Sequence, residues 1–261
     1  MEKVLQFLRQ EQVRVYNNLG ITICPVTDEK SGIAVVLSLL HALLDKQTVL
    51  YLSGGRTPKT LYGEIARGEK LHPGAVAMVD ERYGDPMHEN SNERMLSESA
   101  LLRFATILNI PFHQILRPGL SREERSDEYD QKVRTLLSQY KQHVAILGIG
   151  MDGHTAGIPS KASLGVKGQD AETFVLDLAG KSKDRMVIDY DDKSGFYKER
   201  ITMTFQGLSM MDILIVLVFG KDKKPALELL FSDGPEADIP SRFFKRTDIA
   251  SKTLVITDQE V

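Results

Sequence analysis

Four short apolar runs constrain this chain more than any other feature. "TVLYL" ends at Leu52, "AVAMV" at Val79, "HVAIL" at Leu147 and "ILIVLVF" at Phe219, and each gives way within two residues to glycine or a charge. Their apolar character is continuous rather than alternating, which is the pattern of strands buried on both faces of a parallel sheet. Between them lie segments with helical periodicity: "PKTLYGEIARG", "SNERMLSESALLRF", "SREERSDEYDQKVRTLLSQYKQ" and "KPALELLF". Strands that alternate with helices predict an α/β layered fold with a mostly parallel sheet. Weaker strand signals lie in "TFVLDL", "RMVIDY" and "TLVITD", while "YDDKSGFYKER" reads as a loop. No repeat or linker divides the chain, so residues 1–261 are expected to form a single domain. At 42% hydrophobic residues it is long enough to bury a sizeable core.

Charge and cysteine usage narrow the functional classes. Lysine and arginine total 33 against 36 acidic residues, a near balance that argues against non-specific nucleic-acid or membrane-surface binding. Cys24 is the only cysteine, so no intramolecular disulfide framework exists, and a small buried apolar role is expected for it. "MEKVLQFLRQEQVRVYNN" interrupts its apolar residues with charge and reads as an amphipathic helix rather than a signal peptide. "MMDILIVLVFG" is too short to span a bilayer. The expectation is a soluble cytoplasmic protein, monomer or weak homodimer, whose partner is a small molecule rather than nucleic acid or a membrane.

Each strong strand opens at its carboxyl end into a loop carrying glycines, ionisable groups, or both: "SGGRTP", "DERYGDP", "GIGMDGHTAG" and "GKDKKP". Ligands of open α/β sheets bind outside those ends, so the four loops are expected to converge on one site. In the first, Gly54 and Gly55 permit positive φ, Thr57 can cap a helix and Pro58 suits its first turn. The free N–H groups and dipole of that helix, with the Arg56 guanidinium, would suit a phosphate. Lys223 would add a second cation across the crevice, and Arg200 in "ERITMT" a third.

Gly148, Gly150 and Gly153 match the G-x-G-x-x-G spacing of a dinucleotide-binding turn, but the context is wrong for one. Gly157, Pro159, Gly165 and Gly168 follow where a long helix should run. The glycines instead suit a tight turn presenting Asp152 and His154 at the sheet edge. There an imidazole beside a carboxylate can act as general base or acid near neutral pH. Asp80 to Arg82, "DER", take the next crevice position. His41, His72, His88, His113 and His143 are read as structural or surface residues, and Ser121 to Lys141 as the solvated face of a helix. With no H-E-x-x-H, no cysteine pair and no G-x-S-x-G elbow, the sequence offers no metal site or serine nucleophile. Water activated by a general base remains.

"YLSGGRTPKTLY", "VDERYGDPMHENSNERMLSESALL", "AILGIGMDGHTAG", "RITMT" and "GKDKKPAL" occur in the order and spacing of 6-phosphogluconolactonases, which this chain resembles from about Asp28 to Phe244. That family lies within a broader group that includes glucosamine-6-phosphate deaminases. The resemblance implies a three-layer αβα fold, no metal, no cofactor, and hydrolysis of 6-phospho-D-glucono-1,5-lactone in the oxidative pentose phosphate pathway. It implies that His154 is the catalytic histidine, Asp152 its neighbouring carboxylate, Arg82 the arginine of the "DER" motif and Lys223 a phosphate-binding lysine. Asp80 is a further candidate, acting on sugar hydroxyls. Two departures stand out: Arg56 occupies a position where the family usually has serine or threonine, and "TAGIPSK" replaces the usual "TASLFPG". The deaminase branch would carry a glutamate five residues after the histidine, where this chain has Pro159. The "DER" motif and the Ser91-Asn92 pair also favour the lactonase. A sugar-phosphate-sensing regulator is the alternative from another class, but the short N-terminus lacks a convincing DNA-binding helix-turn-helix.

Overall fold

The computed structural model describes residues 1–68, 71–164, 178–192 and 197–260. In chain order its elements are α1 (Glu2–Gln10), β1 (Tyr16–Asn18), β2 (Ile21–Pro25), α2 (Glu29–Leu43), β3 (Thr48–Leu52), α3 (Arg56–Gly68), β4 (Ala75–Met78), β5 (Asp80–Arg82), α4 (Asn92–Glu98), α5 (Leu101–Ile107), β6 (Phe112–His113), α6 (Arg122–Gln139) and β7 (Gln142–Gly148). Strands β8 (Val187–Asp191), β9 (Glu199–Met203), β10 (Ile213–Val218) and β11 (Thr253–Thr257) follow. The helix Lys224–Phe231 lies between the last two strands.

One sheet has the order β1-β2-β11-β10-β7-β3-β4-β6 and is parallel except for the β1–β2 pair. The four strands read from continuous apolar runs are its centre, and every residue of β3, β4 and β10 is buried. Right-handed crossovers fix the layers. The chain moves one way across the sheet through α2, α3 and α5, and these pack together on one face. It moves the other way through α6 and the helix Lys224–Phe231, which takes them to the opposite face. The result is the expected three-layer αβα arrangement.

Several elements differ from the sequence reading. The N-terminal helix stops at Gln10, and Tyr16–Asn18 of the same stretch form an edge strand. The "SNERMLSESALLRF" segment breaks into two helices, because Ala100 adopts φ of 65° between them. Helix α2 begins with a capping box, in which Asp28 accepts from the Ser31 amide at 2.8 Å and the Ser31 hydroxyl reciprocates. Helix α6 is not simply a solvated face, since Arg125, Tyr129 and Asp130 are buried. It packs on a second sheet, of order β5-β9-β8, whose strands run antiparallel. The ends of "YDDKSGFYKER" thus belong to strands, and "RMVIDY" and "TLVITD" supply β8 and β11. "TFVLDL" falls almost wholly outside the described residues. Cys24 is buried in the core, where burial pushes its thiol up to about 11.

Candidate active site

Strands β3 and β7 are neighbours, yet the chain leaves β3 toward β4 and leaves β7 toward β10, in opposite directions across the sheet. Their carboxyl ends therefore diverge into a crevice, the place where open α/β sheets bind ligands. A cavity of about 430 Å³ lies there, lined from the β3 loop by Gly54, Gly55, Arg56 and Thr57, and from β5 by Asp80 and Arg82. The β7 loop contributes Gly150 and His154, β9 Arg200, and the β10 loop Lys223. All four loops converge as expected. Asp152 stands behind His154 rather than on the cavity wall.

The β3 loop turns through Gly55 at φ of +119°, a conformation that L side chains avoid, and α3 begins at once with Arg56. Thr57 therefore lies inside the first turn and is not the helix cap expected from the sequence. The first helical bond runs from the Lys59 amide to the Gly55 carbonyl at 3.1 Å. The amides of Arg56 and Thr57 precede it and have no acceptor one turn back. Arg56 has no carboxylate partner among the described residues, and across the crevice Lys223 gives Nζ to the Ile149 carbonyl at 2.9 Å.

The β7 loop is held at both ends. The Gly150 amide donates to the His154 carbonyl at 2.8 Å, Gly153 turns at φ of +83°, and the Thr155 hydroxyl donates to the Gly148 carbonyl at 2.8 Å. This closed turn stands the imidazole against Gly150. His154 Nδ1 and Asp152 Oδ1 are 2.5 Å apart. An ionised carboxylate only accepts, so Nδ1 must carry the proton, and the lone pair of a neutral ring is on Nε2. Burial opposes the Asp152 charge, but His154 and the Ser163 hydroxyl outweigh it and hold the carboxyl well below the usual carboxylate range. Asp152 Oδ2 accepts from Ser160 Oγ at 3.0 Å and also from Ser163 Oγ. Ser160 lies within the "TAGIPSK" stretch, so that departure furnishes a hydroxyl that fixes the carboxylate.

The third wall is the β5–β9 ladder. Arg82 stands directly opposite Arg200, and Asp80 opposite Thr202. Like charges across a ladder repel, so each guanidinium needs a separate partner. Arg200 Nη2 pairs with Asp80 Oδ2 at 3.2 Å, both nearly buried. Burial works against the Arg200 charge, but Tyr190, Asp80, Asp192 and Glu81 around it outweigh that cost. Arg82 Nη1 donates to the Asn92 side-chain oxygen and to the Asn90 carbonyl, the latter at 3.3 Å, while its guanidinium lies over the Tyr197 ring. Gly157, at φ of +70°, fits against the Asp80–Arg200 pair, where a Cβ would come within 2.8 Å of Arg200 Nη2 and 2.9 Å of Asp80 Oδ2.

Two supporting residues escaped the sequence reading of the site. Asn92 Nδ2 donates to the Asp80 carbonyl at 2.8 Å, and its carboxamide occupies the space that a Cβ on Gly54 would need. It thereby joins the β3 loop to Asp80 and Arg82. Glu81, fully buried, accepts from the amides of Arg82 and Asn92 at 2.7 Å each and of Glu93 at 2.9 Å, which ties β5 to the start of α4. The pattern "DER" followed by "SN" was the available signal for both. No group of three metal-ligating side chains occurs among the described residues, and no helix there is long and apolar enough to cross a membrane.

The family described as glucosamine-6-phosphate isomerases/6-phosphogluconolactonase matches residues 31–255. A 6-phosphogluconolactonase of Nostoc sp. is 31% identical over 242 residues, which cover 86% of this chain and 91% of that protein. The crystal structure of 6-phosphogluconolactonase from Thermotoga maritima superposes with a TM-score of 0.66 at 23% identity, covering 91% of this chain and 98% of that one. A monomeric glucosamine-6-phosphate deaminase superposes with a TM-score of 0.65 at 18% identity, covering 91% and 97%. At these identities the two structures speak to the fold, which they share.

Proposed function

This chain belongs to the glucosamine-6-phosphate isomerase/6-phosphogluconolactonase family, and from that premise we propose that it hydrolyses 6-phospho-D-glucono-1,5-lactone to 6-phosphogluconate, with His154 as general base. The observation that carries the reading is the 2.5 Å contact between His154 Nδ1 and Asp152, made at the edge of a cavity whose wall also carries Arg56, Arg82 and Lys223, none of them paired with a carboxylate among the described residues. The amides at the start of α3, with Arg56 and Lys223, hold the 6-phosphate. Binding energy from that remote group positions the lactone carbonyl beside His154.

His154 Nε2 removes a proton from water as the water oxygen bonds to the carbonyl carbon. Negative charge then gathers on the former carbonyl oxygen, where Arg82 or loop amides stabilise it. When the intermediate collapses, the bond from carbon to the ring oxygen breaks, and the imidazolium returns its proton to that oxygen. Asp152 keeps the ring oriented and stabilises its charged form. No step calls for a metal or cofactor.

The deaminase branch shares the fold, so the decisive experiment offers both chemistries to the same preparation. Freshly made phosphogluconolactone and glucosamine-6-phosphate are supplied side by side, and the spontaneous hydrolysis of the lactone is subtracted. Lactone opening above background without ammonia release is expected. Ammonia release would move the chain to the deaminase branch. Binding of sugar phosphates without turnover of either would make it a sensor.

A further inference from the structure

The crevice does not end at Arg56. A second cavity, of about 400 Å³, adjoins it, and Gly55, Arg56 and Arg82 line both. The far wall of this annex is made by Lys59 of α3 and by Arg94 and Glu98 of α4, two helices that pack against each other. Lys59 follows Arg56 by three residues, so the two cations share a face of α3, with Cβ atoms about 5–6 Å apart.

The annex has more positive charge than its own acids can match. Glu98 serves two cations at once, accepting from Lys59 Nζ at 2.8 Å and from Arg94 Nε at 3.1 Å. Arg56 and Arg82 have no carboxylate partner among the described residues, and Glu89 is the only other acid on the wall. Four cations therefore face two carboxylates. A phosphate monoester held at Gly54, Gly55 and Arg56 would leave this surplus uncompensated on the side away from His154.

We propose that the annex receives a second phosphoryl group joined to the first, so that ligands carrying a diphosphate bind this cleft more tightly than monophosphates and inhibit turnover competitively. The proposal rests on the assignment of the 6-phosphate to the β3 loop. The first phosphoryl group takes the α3 amides and Arg56; the second lies between Lys59 and Arg94, displacing part of their shared interaction with Glu98. A lactone bearing one phosphate never reaches Lys59 or Arg94. Those residues therefore govern inhibitor preference and leave substrate turnover alone.

The test measures competition by inorganic phosphate, inorganic pyrophosphate and 6-phosphogluconate against lactone hydrolysis, at fixed ionic strength and without divalent metal. Wild type is compared with Lys59→Ala, Arg94→Ala and Glu98→Gln, all at half-exposed side chains, with a thermal melt of each variant alongside. Pyrophosphate should inhibit wild type roughly tenfold or more tightly than phosphate, a difference of about 1.4 kcal/mol. Lys59→Ala and Arg94→Ala should each cut that preference several-fold and Glu98→Gln should raise it, while lactone KM and 6-phosphogluconate inhibition move less than about twofold. An unchanged preference in all three variants would overturn the annex. Failure of phosphate and 6-phosphogluconate to compete at all would instead remove the phosphate assignment beneath it, a result recognisable in wild type alone.

Discussion

Replacing Gly150 with alanine tests the catalytic role of His154 without touching either member of the His154–Asp152 pair. Gly150 lies outside the positive-φ region, so alanine suits its backbone, but the added Cβ would overlap the His154 ring and come within 2.7 Å of Asp152 Oδ1. Ordinary contact needs about 3.5–4.0 Å between carbons, so the ring must swing away by more than about 1 Å. A misplacement of that size can cost about 10²-fold, and full loss of a general base about 10²–10⁴-fold. The maximal rate should therefore fall by at least about 10²-fold, equivalent to about 2.7 kcal/mol of transition-state stabilisation. Stability should hardly change, because the group that yields is a half-exposed side chain and alanine restricts the unfolded chain. The assay is initial-rate lactone hydrolysis with background subtracted, alongside a thermal melt. A double-mutant cycle completes it, since Gly150→Ala should cost nothing further in a His154→Ala background. A folded Gly150→Ala protein that retains most of the activity would refute the placement of His154 as base.

Two further expectations concern charge. Arg56→Ala and Lys223→Ala should each lower kcat/KM for the phosphorylated lactone by about 10-fold or more while barely affecting unphosphorylated gluconolactone, and equal losses on both substrates would sink the phosphate assignment. Burial pushes the Glu81 carboxyl up to about 8 and the Glu93 carboxyl up to about 7, against the pull of their backbone donors. Both values lie above the unfolded range, so their contribution to stability is complete in acid and is lost as pH rises through 7 to 8. The melting temperature should fall from about pH 5 to about pH 8 and level off above that, and Glu81→Gln should flatten that slope; a rise over this window would mean that the backbone N–H groups hold both side chains ionised.

What could be read from the sequence followed from burial. Strands β3, β4, β7 and β10 announce themselves because both faces are covered, and their order with the intervening helices fixes where the loops meet. The small sheet was hidden because β5 is only "DER" and β9 begins "ER", charges that pass for loop until the register puts Arg82 opposite Arg200. Helix α2 was missed although its capping box was present in Asp28 and Ser31. The supports of the site depend on distance in space. Ser160 and Ser163 reach Asp152 from eight and eleven residues away, and Asn92, at the start of α4, sits directly against Gly54.

Asp80, on the cavity wall, and Asp152, behind His154, have different partners, and these divide the work in the proposed mechanism. Asp152 keeps a third of its side chain exposed and spends one oxygen on His154 and the other on Ser160 and Ser163. Its charge therefore acts through the imidazole, favouring the protonated ring that forms when water is deprotonated. Asp80 is almost fully buried and committed to Arg200 and Asn92. An acid so engaged is poorly placed to take a proton, and its effect is electrostatic: it neutralises one of two opposed guanidinium groups. Were Asp80 replaced by asparagine, Arg200 would lose its ion pair while still standing opposite Arg82 across the ladder, and the β5–β9 pairing would weaken. Asp80 thus leaves Arg82 as the cation on that wall without a carboxylate partner, free to meet the charge that develops on the attacked carbonyl oxygen.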